Sequence, residues 1–425
     1  MLNSEQLSVW LKPSLAFPCV ARRSRKHRRL IMQCLTMLAV PLLFCCHVPS
    51  SPRSVKADLS EAQQGGRKTA LPRKPLIRSV RDLGLLFTHN TQHVLGHDGA
   101  YSIPLDSKRA LWLFGDTFVG TLDETGQRRL TGFPPTSALV CTDTDASDGL
   151  SSFSYLTYPD GAIRPIVDYK PGEDPGKLRL WALHGFRAQE KIYIYYLFVD
   201  ILHDQPPPWN FRVTGTGLAA IDLKSVVNDG GRNLKSVRLN RPNGSEVFWT
   251  EKEATLGTAV LTGEPGYLYV YGCRRMEDGR SGVVLARVKL NNVETPDAYE
   301  YLTAGPSLSS PTTPPQWETD PAKCIALFYD VPTEMSVSHN DYLGCYIAVH
   351  SVSIFDEIRL RSAQAPWGPW DEGETIWQVK PASPDAFSYA AKEHPELARA
   401  GGRILYVTFV DSHDYWPHLL EVELM

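Results

Sequence analysis

A chain of 425 residues, 43% hydrophobic and 21% charged, can bury a large core and is not disordered by composition. Its 44 basic and 47 acidic residues leave a net charge of −3, too little to draw nucleic acid or an anionic membrane by a global field, so no nucleic-acid partner is expected. The length admits one large domain or two ordinary ones.

The chain opens with a local exception to that charge balance. Arg22, Arg23, Arg25, Lys26, Arg28 and Arg29 precede an apolar stretch from Leu30 to Cys46, the order of an export signal. The stretch is only marginally long enough to span a bilayer, and Pro41 interrupts it. Cleavage, retention as a membrane anchor and lipidation at the Leu43-Phe44-Cys45-Cys46 box all stay open. Residues 1–49 are therefore expected to be a signal or anchor, and 50–80 a polar tether rich in Pro, Gly and Lys. The product would be periplasmic, surface-anchored or secreted. Beyond the leader lie Cys141, Cys273, Cys324 and Cys345, none in a metal-binding spacing. Export permits disulfides among them, but buried free thiols are preferred, since a core this size needs no covalent staple.

From Asp82 onward, short apolar and aromatic runs alternate with turn residues. Leu111–Phe114, Lys191–Phe198, Tyr267–Tyr271, Ile325–Tyr329 and Ile404–Phe409 all read as strands. No long amphipathic helix is visible, although the acidic piece Ala390 to Ala400 suggests a short one limited by Pro395. Five loose units follow, near Leu83–Thr144, Leu150–Val227, Val247–Leu302, Pro311–Arg361 and Trp370–Met425. Units of about four short strands suit the blades of a propeller better than a pair of sandwiches. The expected fold is all-β, a five-bladed β-propeller over residues 81–425. Pro417–Leu424 alternates like an edge or outer strand of the last blade.

Asp98 and Asp116 are the leading catalytic candidates. Tyr101–Leu105 and Leu111–Phe114 flank the polar turn Asp106-Ser107-Lys108-Arg109, and a hairpin centred near Ser107 sets Asp98 opposite Asp116. Two carboxylates at one hairpin mouth match glycoside hydrolysis, where one protonates the leaving oxygen and the other activates water or attacks the sugar. Splayed cross-strand neighbours leave room for a water, so inversion is the expected stereochemistry. Asp beside Gly also builds ordinary turns, and spacing alone does not separate the two roles.

Trp181, His184, Glu334, Ser338, Tyr389 and His394 fall on or next to expected inner strands and are candidate sugar-binding residues, with Glu334 the best third carboxylate. Blade packing is the ordinary role for each aromatic among them. His89, His93 and His97 recur every four residues, but the glycines around them argue against a helical metal site. No cofactor is required by any motif. A structural Ca²⁺ in the axial channel is allowed for, without a calcium-loop spacing to support it. Phosphate-loop, serine-elbow and dinucleotide motifs are absent.

The words Gly96-His97-Asp98-Gly99-Ala100-Tyr101-Ser102-Ile103-Pro104-Leu105, then Leu111-Trp112-Leu113-Phe114-Gly115-Asp116-Thr117-Phe118, resemble the opening of the domain-of-unknown-function family numbered 4185. Tyr269–Gly272, Leu285–Val288, Arg361–Trp370 and Tyr389–Leu397 continue the resemblance in the same order. It implies a secreted five-bladed propeller with endo-D-arabinanase-type members, acting as a monomer on a furanosidic polysaccharide through paired aspartates. Asp98 and Asp116 match that pair, whereas Gly132–Ala138 lacks the Asn the resemblance leads one to expect. A non-catalytic glycan-binding propeller would use the same residues as hydrogen-bond acceptors.

Overall fold

In a computed structural model, the structure describes residues 76–206, 209–228, 230–263, 266–332, 334–352, 356–383 and 386–425. The expected leader, and the tether up to residue 75, lie outside them. Among the described residues no helix is long and apolar enough to cross a membrane.

The described chain is all-β. The first sheet runs Tyr101–Asp106, Arg109–Phe114, Ser137–Cys141 and Phe153–Tyr155 in hydrogen-bonded order. The second runs Leu178–Ala188, Lys191–Ile201, Phe211–Asp222 and Ser236–Arg238, with Trp249–Thr250 beside its third strand. The third begins Thr255–Gly263, Tyr267–Arg275 and Ser281–Lys289. The fourth is Met335–Asn340, Cys345–Ser351, Glu357–Ala363 and Glu374–Gln378. The fifth takes Ser388–Glu393, Ile404–Asp411 and Pro417–Leu424, then closes on Ile77–Leu85 from the other end of the sequence. A small side sheet of Val94–His97, Thr117–Leu122 and Arg128–Gly132 branches from the first.

Several expectations change. The domain starts before residue 81, because Ile77, Ser79 and Val80 pair with Leu424, Glu423 and Val422. Pro417–Leu424 is consequently an interior strand, and Ile77–Leu85 takes the edge. The fourth sheet begins at Met335 rather than near Pro311, since Glu300–Ala304, Gln316–Glu318 and Phe328–Tyr329 fold back onto the third. No α-helix forms over 390–400. Its small residues make the inner strand Ser388–Glu393, followed by two 3-10 turns, Pro395–Leu397 and Ala400–Gly402. Cys141, Cys273, Cys324 and Cys345 are buried free thiols.

The first strand of each of the five sheets faces a shared interior. Val260 N–H donates to His184 Nδ1 at 3.1 Å, which leaves Nε2 to donate to Ser102 O at 3.3 Å. Ser102 Oγ meets His394 Nδ1 at 2.7 Å, and Glu393 N–H donates to Ser336 Oγ at 2.7 Å. Ala259 packs in one apolar cluster with Met335 and Val337. Small and hydroxyl residues recur here because a larger side chain would hold the backbones apart. Together the five strands line a cavity of about 320 Å³.

The two-ended fifth sheet yields a stability prediction. A chain beginning at Leu76 should melt as cooperatively as the full sequence. One beginning at Leu86 loses the edge strand and should melt at least ~5 °C lower, several times the shift that 1 kcal/mol produces in a large domain. Differential scanning calorimetry of the two checks this.

Candidate active site

Tyr101 pairs with Leu113, Ser102 with Trp112, Ile103 with Leu111 and Pro104 with Ala110, the register of a turn centred near Ser107. Beyond it, Asp98 N–H donates to Asp116 O at 3.0 Å and Gly115 N–H to Asp98 O at 2.9 Å. The two aspartates are therefore main-chain neighbours at the hairpin mouth. Two glycines make the crowding possible. A methyl group at Gly115 would stand 3.2 Å from Asp98 Cβ, and one at Gly99, where φ is +61°, would stand 3.0 Å from Glu334 Oε1. Glu334 thus joins the first sheet's mouth from the residue before the fourth sheet.

The charges are unequally compensated. Arg179, at the start of the second sheet's inner strand, donates to Asp116 Oδ1 from Nε at 2.9 Å and from Nη2 at 2.6 Å. It also donates to Phe133 O and lies over the Phe133 ring. Burial raises the Asp116 carboxyl, and the Arg179 guanidinium opposes that rise without cancelling it. Lys392 Nζ donates to Glu334 Oε1 and to Ala390 O, each at 2.9 Å, and stands over the Tyr101 ring. Asp98 has no such partner, and its Oδ1 is buried without a hydrogen bond. Burial first, then the charge of Glu334, push its carboxyl up to about 7; Asp116 adds to the rise, while the Tyr389 hydroxyl and Lys392 oppose it. A carboxylic acid that keeps its proton near neutral pH is a proton donor in waiting.

Of the other candidates, Tyr389 and Trp181 join this cluster, the first against Asp98 and the second against Asp116. His184, Ser338 and His394 lie farther along the inner strands and line the cavity. His184 is held neutral there, lowered to about 4 by burial, and serves as a tether between strands. His394 sits between Ser102 and Thr408 and stacks on Trp112. Ser338 donates to Glu393 Oε2 at 2.6 Å, and burial pushes that carboxyl up to about 7. His97 is likewise a packing residue, stacked on Phe114 and bonded to the Tyr155 hydroxyl. Among the described residues no group of three or more His, Cys, Asp or Glu is placed to hold a metal ion.

Arg179, Lys392 and Tyr415 are functional-site residues that sequence reasoning did not single out. Tyr415, near both aspartates, comes from the loop before the last strand. Only Lys392 carried a local signal, a charge that, with Glu393, ends an otherwise small-residue strand.

Substitutions should separate the two aspartates. Asp116→Asn strands a buried guanidinium and should cost about 3–5 kcal/mol. Asp98→Asn removes a group whose folded-state value is raised. Between the ordinary 3.8 and about 7, the folded protein keeps a proton that the unfolded chain releases, so wild-type stability falls as pH rises through that window. The Asp98→Asn chain should therefore gain on wild type between pH 4 and pH 8, whereas the Asp116→Asn chain should be less stable than wild type at neutral and alkaline pH and should lose that deficit in acid, where the wild-type carboxyl takes a proton. Urea melts at several pH values check both.

No curated protein sequence matches this chain. Among solved structures, a candidate hydrolase from Bacteroides ovatus ATCC 8483 is similar at a TM-score of 0.54 and 18% identity, over 80% of this chain and 87% of that one. That likeness is one of fold. The GH43_1 enzyme from Xanthomonas citri in complex with xylotriose is similar at a TM-score of 0.45 and 11% identity, over 81% of this chain and 89% of that one. The GH62 α-L-arabinofuranosidase catalytic domain of Coprinopsis cinerea gives 0.44 and 11%, over 84% of this chain and 98% of that one. The family matched carries a different number from the one the opening words resemble, since strand-end words of this kind are short. Residues 83–419 match the family described as Domain of unknown function (DUF5005), and the chain belongs to it.

Proposed function

We propose that this protein is a glycoside hydrolase acting on a furanosidic, arabinan-like or related polysaccharide, and that its five sheets are the blades of a five-bladed β-propeller. The carrying observation is the uneven pairing of three carboxyls at one end of the inner strands: Asp116 with Arg179, Glu334 with Lys392, and Asp98 with neither. In this reading Asp98 protonates the glycosidic oxygen. Glu334 receives a proton from water, with Lys392 holding it in place, and the water adds to the sugar carbon as the leaving oxygen departs with the Asp98 proton. Asp116, the other carboxylate of the hairpin mouth, is a positioning residue in this reading because Arg179 occupies it. The choice of sugar rests on the sequence words alone. Inversion remains the expected outcome, and an exported monomer without a required cofactor remains the expected context.

Neutralisation of Asp116 also favours a second reading, a glycan-binding protein without turnover. New reducing ends on a polysaccharide panel distinguish the two. Asp98→Asn and Glu334→Gln should each lower turnover by ~10²–10⁴ per folded molecule, Glu334→Gln also losing stability because it strands the buried Lys392 ammonium. Binding without product on every substrate overturns the hydrolase. The pH profile is a further check: the Tyr389 hydroxyl lowers the Asp98 value, so Tyr389→Phe should move the alkaline limb of kcat/KM to higher pH. A limb that stays in place, or moves down, removes Asp98 as the acid.

A further inference from the structure

Trp209 is 48% exposed, on the loop joining the second and third strands of the second sheet. It is not isolated. Its ring stacks on Phe387 at 5.7 Å and 26°, and Phe387 lies 5.5 Å from Tyr389, the residue against Asp98. Trp209 also lies 6.5 Å from Phe211, tilted by 39°; Phe211 meets Trp181 edge-on at 4.9 Å, and Trp181 lies against Asp116. Two chains of rings thus connect one exposed indole to both aspartates. The backbone flanking the two rings is hydrogen-bonded. Phe387 N–H donates to Ser412 Oγ and Ser412 N–H to Phe387 O, both at 3.0 Å, while Leu202 N–H donates to Asn210 O at 2.8 Å.

From this continuity we infer that Trp209, backed by Phe387, is a stacking platform for a sugar ring of the same glycan chain, beyond the residue held at the carboxyls. The inference rests on the proposed function for its ligand and names an outer subsite of that site. An exposed indole with a second ring behind it offers a flat, partly dehydrated face. The axial C–H bonds of a sugar ring match such a face, and the sugar's equatorial hydroxyls stay in water. Stacking of this kind tolerates differences in hydroxyl pattern, so the platform holds the chain and leaves the choice of bond to the carboxyls.

The test is affinity electrophoresis of the full chain through gels containing soluble arabinan, arabinoxylan or levan, with reducing ends measured separately. Trp209→Ala should weaken retardation by the bound polysaccharide ~10-fold or more, while Trp209→Phe stays within ~3-fold of wild type. Equal retardation of wild type and Trp209→Ala overturns the platform even if reducing ends appear, as does a wild type retarded by none of the three. Retardation lost in Trp209→Ala, with no reducing ends from wild type, keeps the platform and sinks the hydrolase. A Trp209→Ala chain that changes only its sedimentation coefficient assigns the ring to a second copy of the protein and overturns the inference.

Discussion

Strand Ile77–Leu85 hydrogen-bonds along Pro417–Leu424, so the fifth sheet is assembled from segments some 340 residues apart in sequence. The inner strand of that sheet carries Tyr389 and Lys392 to the carboxyl cluster, and Glu393 to the cavity. Phe387, just before it, holds Trp209. Without the returning strand, Pro417–Leu424 would be an open edge, and its buried Leu420, Val422 and Leu424 would lose their cover. Arg81 donates to Glu421 Oε1 at 2.7 and 2.9 Å across the seam, an exposed pair that adds register more than stability.

The chemistry follows from how few cations reach the cluster. Arg179 and Lys392 each pair with another carboxylate, so Asp98 has no ion pair of its own and only the weaker, through-space pull of Lys392. A third negative charge in that space would face two others across a poorly hydrated gap. The cheaper arrangement is a proton on Asp98. The same uneven supply divides the labour. Asp116 binds the first sheet to the second through Arg179, Glu334 binds the fourth to the fifth through Lys392, and the Asp98 carboxyl has no cation, only the Tyr389 hydroxyl. Its Oδ1, buried without a partner, stores a cost that a purely structural role would have removed.

Local patterning was legible in the sequence wherever a turn and its flanking strands lay close together. The hairpin register around Ser107 and the three successive strands from Thr255 to Lys289 follow from apolar alternation and turn residues alone. What escaped was non-local. Arg179 sits 63 residues from Asp116, and Lys392 lies 58 from Glu334, separations at which nothing in a single sequence distinguishes a partner from a bystander. The environment of the cavity histidines was not legible for a related reason. His184 and His394 have the composition of a binding site, yet their ring nitrogens are already engaged by Val260, Ser102 and Thr408. The family word was legible in its region and not in its number.

The seam between Ile77–Leu85 and Pro417–Leu424 also sets an order of events during synthesis. Residues 77–85 leave the ribosome long before residues 417–424 exist, so the early strand waits without its partner while the sheets between are made. Such a waiting strand is an invitation to the wrong neighbour. Arg78, Arg81 and Asp82 interrupt this one, and Arg78 and Arg81 later find Glu423 and Glu421. Charges that contribute little to the finished fold therefore act earlier, as gatekeepers that keep the nascent chain from associating before its own end arrives.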